Sequence, residues 1–242
     1  MNDDAPDVRE DVREDVREAL VLMARAPVEG EVKTRLVGPF TPPEVLELYL
    51  NFLRDTFAMM EEVQSERDDL ALVLCYTPEE AVEAFEEVER EGCLMMAQRG
   101  ADLGERISNC LKDLFDNGYD RVVVIGADTP ALPSEYIVDA FDDLGGRDSI
   151  VIGPALDQGY YLIGMGQYLP ILFRDIPWGT ASVLPRTRER IAAAGLELTE
   201  LPEFVDVDTI DDLDLLEQVF AEDRSLAPKT RRYLKSLRKS RV

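Results

Sequence analysis

Val122-Val123-Val124-Ile125-Gly126-Ala127-Asp128-Thr129-Pro130 is an apolar, β-branched run closed by glycine, aspartate and proline. Its length and branching fit a strand buried on both faces, and Gly126 and Pro130 mark its end. Asp128 is therefore expected at the carboxyl end of a central strand, the edge on which open α/β sheets bind ligands. A carboxylate there, beside a proline-stiffened turn, suits a hard divalent cation held against a phosphate. The competing role, capping the next helix, falls in sequence to Ser134, which Ile137, Ala140 and Phe141 follow at helical spacing.

Outward from this run, strand and helix patterns alternate. Residues 19–24 read as the first strand. Thr41-Pro42-Pro43-Glu44 then opens a helix as a capping box with proline in its first turn, and Val45, Tyr49, Phe52, Phe57 and Met60 form its buried face. Residues 70–76 read as a second strand, and Thr77-Pro78-Glu79-Glu80 repeats the capping signal before another helix. A short strand near Leu94 precedes a helical stripe of Leu103, Ile107, Leu111 and Leu114, stopped at Asn117-Gly118. After the Asp128 strand come strands at 149–153 and 160–164, a helix at 181–194 stopped by Gly195, a strand near 196–201, and a last helix from about Thr209. Such alternation predicts an α/β fold with a mostly parallel central sheet and helices on both faces.

The 242 residues, 45% hydrophobic, suffice for one large domain with a proper core. Residues 7–18 repeat Asp-Val-Arg-Glu three times and read as a charged extension over 1–18. The domain proper is expected over 19–222. From Arg224 onward there are eight basic residues and no acidic one, so 223–242 reads as a basic tail; Tyr233, Leu234 and Leu237 allow an amphipathic helix, and docking on the acidic body or disorder competes with phosphate or membrane contact. No apolar run approaches the roughly 20 residues a bilayer span needs, and the amino terminus lacks the apolar stretch of a signal peptide, so a cytoplasmic protein is expected. Cys75, Cys93 and Cys110 read as buried thiols. The absence of histidine removes Ser-His-Asp and Cys-His catalysis and histidine metal sites. A net charge of -24 argues against nucleic acid or an anionic membrane as the general partner.

Directly after the first strand lies Ala24-Arg25-Ala26-Pro27-Val28-Glu29-Gly30-Glu31-Val32-Lys33-Thr34-Arg35-Leu36. One glycine and three cations on that loop suit a polyphosphate: backbone amides approach it while Arg25, Lys33 and Arg35 supply charge-assisted bonds. Pairing of the cations with Glu29 and Glu31 is the alternative. Val32 stands where a Walker A loop needs glycine, and Leu169 breaks a dinucleotide fingerprint begun by Gly164 and Gly166. In Gln98-Arg99-Gly100-Ala101-Asp102-Leu103-Gly104-Glu105-Arg106, Gln98 and Asp102 suit nucleoside contact, or Asp102 caps the helix. Asp157 and Tyr160 lie in a turn between two strands, where Asp157 suits an acceptor or metal, or an Asx turn. Trp178-Gly179-Thr180 carries the only tryptophan, as a sugar or base platform or a core anchor. In Val205-Asp206-Val207-Asp208-Thr209, alternation sends Asp206 and Asp208 to one side, from which one of them can reach a metal at Asp128.

In order, ARAPVEGEVKTRL, QRGADLGER, GADTP, ALDQGYYLIG, PWGT and VDVDT resemble the GT-A-like family of radical-SAM/selenodomain-associated, arsenosugar-biosynthesis glycosyltransferase-like transferases, over about residues 19–220. That family is similar in fold to nucleotide-diphospho-sugar transferases and to nucleotidyltransferases such as 2-phospho-lactate guanylyltransferase. The resemblance implies a Rossmann-like GT-A fold, with Ala24, Arg25, Gly30, Lys33 and Arg35 on the nucleotide-phosphate loop and Mg²⁺ or Mn²⁺ on Asp128 and Asp208. Asp157, Tyr160, Trp178 and Thr180 then face the acceptor. The implied reaction is glycosyl transfer from a nucleotide sugar, with Lys33, Asp128 and Asp157 as catalytic candidates. The alternatives are nucleotidyl transfer from an NTP to a phosphorylated small molecule, or a nucleotide-binding domain without turnover. Two departures stand out: Asp157-Gln158-Gly159-Tyr160 replaces the usual Asp-Gly-Gly-Tyr, and Gly126-Ala127-Asp128 has one carboxylate where many glycosyltransferases carry Asp-X-Asp.

Overall fold

The structure is a computed structural model and describes residues 16–88 and 90–239. Most of the Asp-Val-Arg-Glu repeat, residues 7–15, lies outside that range, as do the last three residues of the basic segment. The seven described strands are β1 (Glu18–Arg25), β2 (Leu70–Thr77), β3 (Leu94–Ala97), β4 (Arg121–Gly126), β5 (Ser149–Pro154), β6 (Tyr160–Met165) and β7 (Glu197–Glu200). They form one sheet in the order β3-β2-β1-β4-β6-β5-β7. All pairings are parallel except those of β6, which runs antiparallel to both β4 and β5. The reversal comes from the short 155–159 turn, since strands so joined can pair only as a hairpin.

Alternation along the strands divides the core into two layers. Leu20, Leu22 and Ala24 face α1 (Pro42–Glu66), α3 (Ser134–Asp143), α5 (Ile210–Glu222) and α6 (Pro228–Lys239). Ala19, Val21 and Met23 face α2 (Leu103–Asp116) and α4 (Val183–Ala194). The expected mostly parallel sheet with helices on both faces is the fold observed. The Thr41–Glu44 capping box opens α1, with the Glu44 carboxylate accepting the Thr41 amide at 2.8 Å.

Several local signals mislead. Ser134 is the first residue of α3; the boundary residue is Pro133, whose side chain has no acceptor and makes no cap. Thr77 is consumed by the β1–β2 ladder, and its carbonyl accepts the Ala26 amide, so Glu79–Phe85 forms a run of 3₁₀ turns in place of a capped α-helix. Leu103 is exposed, and the buried face of α2 runs from Gly104 through Ile107, Cys110, Leu111 and Leu114. Cys75 and Cys110 are buried thiols, but Cys93 is only half-buried. The helix from Thr209 is not the last, because α6 comes after it. No described helix is long and apolar enough to cross a membrane.

Within the basic segment, α6 packs on α1 through Leu234 and Leu237, which are buried in the same core layer. The contact is fixed by Asp55, 4% exposed in the middle of α1, whose carboxylate accepts the backbone amides of Lys229 at 3.2 Å and Thr230 at 2.7 Å. Asp55 thus caps a helix 174 residues away. Asp55→Ala is expected to lower stability by about 1–2 kcal/mol, as loss of a helix cap does. It should also open α6 to trypsin at Arg231 and Arg232. Urea unfolding and limited proteolysis check this, and an unchanged midpoint with intact α6 would refute the capping role.

Candidate active site

The carboxyl edge of the sheet collects the residues singled out by sequence. From β1 the chain enters the 26–41 loop, where Gly30 (φ 76°) and Lys33 (φ 45°) both adopt left-handed backbone. For Lys33, a non-glycine, that conformation carries strain. It delivers the side chain inward, only 6% exposed, to Asp128 Oδ1 at 2.7 Å and Asp208 Oδ1 at 2.8 Å. Asp128 emerges from β4 as expected. Asp208 is brought beside it by the extended 204–208 segment: the Phe204 amide donates to the Pro154 carbonyl, and the Val207 amide donates to the Asp128 carbonyl at 2.8 Å. That last bond places Asp206 and Asp208 on either side of Val207, both directed at the cavity.

Burial alone would lower the pKa of Lys33, but the charges of Asp128 and Asp208 outweigh it and the ammonium is held more firmly protonated than a free lysine. Burial would likewise raise Asp208, yet Lys33 and Arg35 keep it below the usual carboxylate range. Asp206 has no cation beside it among the described residues. Burial, then Asp157, Asp208 and Asp128, push it up to about 6 against the pull of its own backbone hydrogen bond.

The other cations divide. Arg35 reaches Asp208 at 3.4 Å and is largely exposed, while Arg25 pairs with Glu31 at 3.4 Å, the surface pairing that competed with phosphate binding. Ala24 is buried, and its carbonyl accepts Gln98 Nε2 at 3.3 Å. The same Gln98 nitrogen donates to the Cys75 carbonyl at 2.8 Å, so Gln98 ties the ends of β1 and β2. Asp102 caps α2, accepting the Glu105 amide at 2.9 Å, and stands apart from the two cavities at the Asp128 edge.

Two cavities meet at Asp128 and Asp208. One, about 310 Å³, runs along the loop past Arg25, Lys33 and Arg35 to Tyr49. The Tyr49 hydroxyl donates to the Arg25 carbonyl at 2.9 Å and steadies the root of the loop. The other, about 440 Å³, runs under the β4–β6 junction toward Tyr160 and Trp178. Asp157 lines it while its carboxylate also accepts the Gly159 amide at 2.7 Å, so its Asx turn and its place at the cavity coexist. Thr180 is at the rim, but its hydroxyl closes a turn on the Pro177 carbonyl. Trp178 stacks on Phe173 and meets the edge of Tyr160. Gly104 permits this packing, since a Cβ there would lie 2.1 Å from Trp178 Nε1. The QRGADLGER and PWGT stretches thus build one wall together.

Sequence reasoning placed a divalent ion between Asp128 and Asp208; in the structure the Lys33 ammonium bridges that pair. Among the described residues no three acidic or thiol groups are arranged as a metal site. The charges nevertheless leave room for one. Asp128, Asp157, Asp206 and Asp208 face Lys33 and Arg35, an excess of two negative charges carried on hard oxygen donors, which fits Mg²⁺ or Mn²⁺. Thr129 was not singled out from sequence. It is 3% exposed, lines the larger cavity, and its hydroxyl has no hydrogen-bond partner among the described residues.

Residues 60–180 match the family described as uncharacterized and conserved in bacteria, DUF2064. A crystal structure from Desulfovibrio desulfuricans G20, of a protein described as a candidate nucleotide-diphospho-sugar transferase, is 34% identical, with a TM-score of 0.83 over 93% of this chain and 98% of that one. The chain belongs to the DUF2064 family. More distant folds share the DUF2064 architecture. A cytidylyltransferase from Leptospira borgpetersenii is 16% identical, with a TM-score of 0.52 over 93% of this chain and 95% of that one. Rv0371C of Mycobacterium tuberculosis H37Rv, solved in complex with manganese, is also 16% identical, with a TM-score of 0.52 over 83% and 98%. No curated protein matches the DUF2064 chain. The nucleotide-diphospho-sugar transferase fold expected from sequence is the fold found.

Proposed function

We propose that the protein is a metal-dependent glycosyltransferase using a nucleotide sugar. The observation that carries this is the Lys33 bridge to Asp128 and Asp208 at the mouth of two joined cavities, one cationic and one aromatic. The donor diphosphate would lie along the loop, where Lys33, Arg25 and Arg35 stabilise the charge that develops as it leaves. The manganese of Rv0371C and the charge excess here support a Mg²⁺ or Mn²⁺ held by Asp128 and Asp208, which would neutralise the diphosphate. In the transfer, an acceptor oxygen bonds the anomeric carbon and the carbon–diphosphate bond breaks with its electron pair on the diphosphate. The acceptor proton passes to a carboxylate, for which Asp157 is the candidate. The resemblance to arsenosugar-biosynthesis transferases points the same way.

The single carboxylate at the end of β4 and the fold shared with a cytidylyltransferase favour a second reading. In nucleotidyl transfer the acceptor attacks the α-phosphate of an NTP and pyrophosphate leaves. Product analysis separates the two, since only the second releases pyrophosphate. A thermal-shift series with nucleoside diphosphates, triphosphates and nucleotide sugars, with and without Mn²⁺, tests both. Metal-dependent stabilisation approaching about 2.7 kcal/mol at a hundredfold excess over Kd is expected for the preferred nucleotide. Asp128→Asn, which keeps an acceptor for Lys33, should remove it. A folded wild type that no nucleotide stabilises would sink both readings.

A further inference from the structure

The larger cavity differs from the phosphate loop in its charge. Asp128 and Asp208 are paired with Lys33, and Asp208 also with Arg35, but Asp157 and Asp206, which line the cavity beyond them, have no ion pair among the described residues. The remaining wall is apolar and aromatic, with Ile107, Tyr160 and Trp178. A second observation is independent of the acids. The Thr129 hydroxyl, on a residue 3% exposed in the cavity wall, has no hydrogen-bond partner among the described residues, and neither has the buried hydroxyl of Tyr160. Both hydroxyls are sealed in the cavity wall, where a small side-chain rotation toward a bound ligand would satisfy them.

We propose that this cavity selects an acceptor with a compact ring or apolar body that offers N–H or O–H donors to Asp157 and Asp206 and carries no phosphate or carboxylate. The inference rests on the transferase reading in calling that molecule an acceptor. Each part of the description has its cause. Two unpaired carboxylates at a partly desolvated wall repel an anion and accept only from donors. The indole and phenol rings bury a flat apolar body. About 440 Å³ admits a small molecule and not a polymer. A phosphorylated acceptor, as a guanylyltransferase of 2-phospho-lactate would need, meets no cation along this wall among the described residues beyond Arg35 at its mouth.

Trp178 is the only tryptophan, so its emission reports the cavity without donor, metal or turnover. The probes are three near-isosteric phenols: tyramine, 4-ethylphenol and 4-hydroxyphenylacetate, cationic, neutral and anionic. Fluorescence titration of the full chain should give tyramine and 4-ethylphenol binding at least about tenfold tighter than 4-hydroxyphenylacetate, a difference of about 1.4 kcal/mol. Tyramine ahead of 4-ethylphenol marks an amine as the preferred donor, and parity marks a hydroxyl. In Asp157→Asn/Asp206→Asn, checked for folding by circular dichroism, the gap should fall below about threefold. Anion binding equal to the others, an unchanged gap in the variant, or no response to any probe would each overturn the proposal. Failure of the thermal-shift series with nucleotides, while the selectivity holds, would sink the transferase reading and leave the cavity's selectivity standing.

Discussion

Replacing Lys33 with methionine is expected to lower transfer by about 10²–10³-fold, the cost of removing one preorganised charge-stabilising group, and to raise the affinity for Mn²⁺ in the absence of nucleotide. Both effects come from one contact. The ammonium lies 2.7 Å from Asp128 and 2.8 Å from Asp208 and is nearly sealed from water. Without it two carboxylates face each other with Arg35, 3.4 Å from Asp208, as the cation beside them. A divalent ion then gains what the ammonium held. Methionine keeps most of the side-chain length and, like lysine, is a non-glycine residue at φ 45°, so the loop's backbone strain is unchanged. Calorimetric titration with MnCl₂ and a turnover assay read the two effects separately. Turnover near the wild-type rate, or weaker manganese binding, would show that the lysine and the metal do not share the pair.

Gly104→Ala should destabilise the protein by about 3 kcal/mol, the upper range for forcing a methyl group into a packed site. The added carbon would lie 2.1 Å from Trp178 Nε1 and 2.3 Å from Cε2. The ring cannot step aside, because Phe173 stacks on it and Tyr160 meets its edge. Either the indole leaves or the first turn of α2 shifts, and both deform the aromatic wall. For a chain of this size a melting temperature lower by about 6–12 °C is expected, with Trp178 emission moving to longer wavelength as the ring meets water. An unaltered melting point and spectrum would mean that glycine is not required there.

The parts of the protein written in local chemistry were legible. The run from Val122 to Asp128 announces a buried strand ending at a ligand edge, and Thr41 with Glu44 announces α1. Direction and distance were not legible. Nothing in Tyr160–Met165 says that β6 runs backward; that comes from the tight turn before it and from pairing with β4. Thr77-Pro78 carries the same capping letters as Thr41-Pro42, but strand pairing claimed Thr77 first. The Lys33–Asp208 contact joins residues 175 apart, so the loop's cations looked alike in sequence although one is buried, one is rim-exposed and one is tied to Glu31. Gly104 and Trp178 belonged to separate motifs until the fold put them in contact, and nothing in the local sequence set Thr129 apart before its burial was seen.

The buried Asp55 on α1 also has a bearing on how the chain is made. Among the described residues its carboxylate is answered only by the start of α6, so during synthesis α1 lies against the nascent sheet with an unmet charge until residues 228–239 have left the ribosome. α1 also packs on the 3₁₀ turn of the Lys33 loop, so one helix touches both the carboxyl-terminal helix and the first loop. The order of translation thus makes α6 the last element to close over α1, and a chain lacking it would expose Asp55 and the apolar face that Leu234 and Leu237 cover.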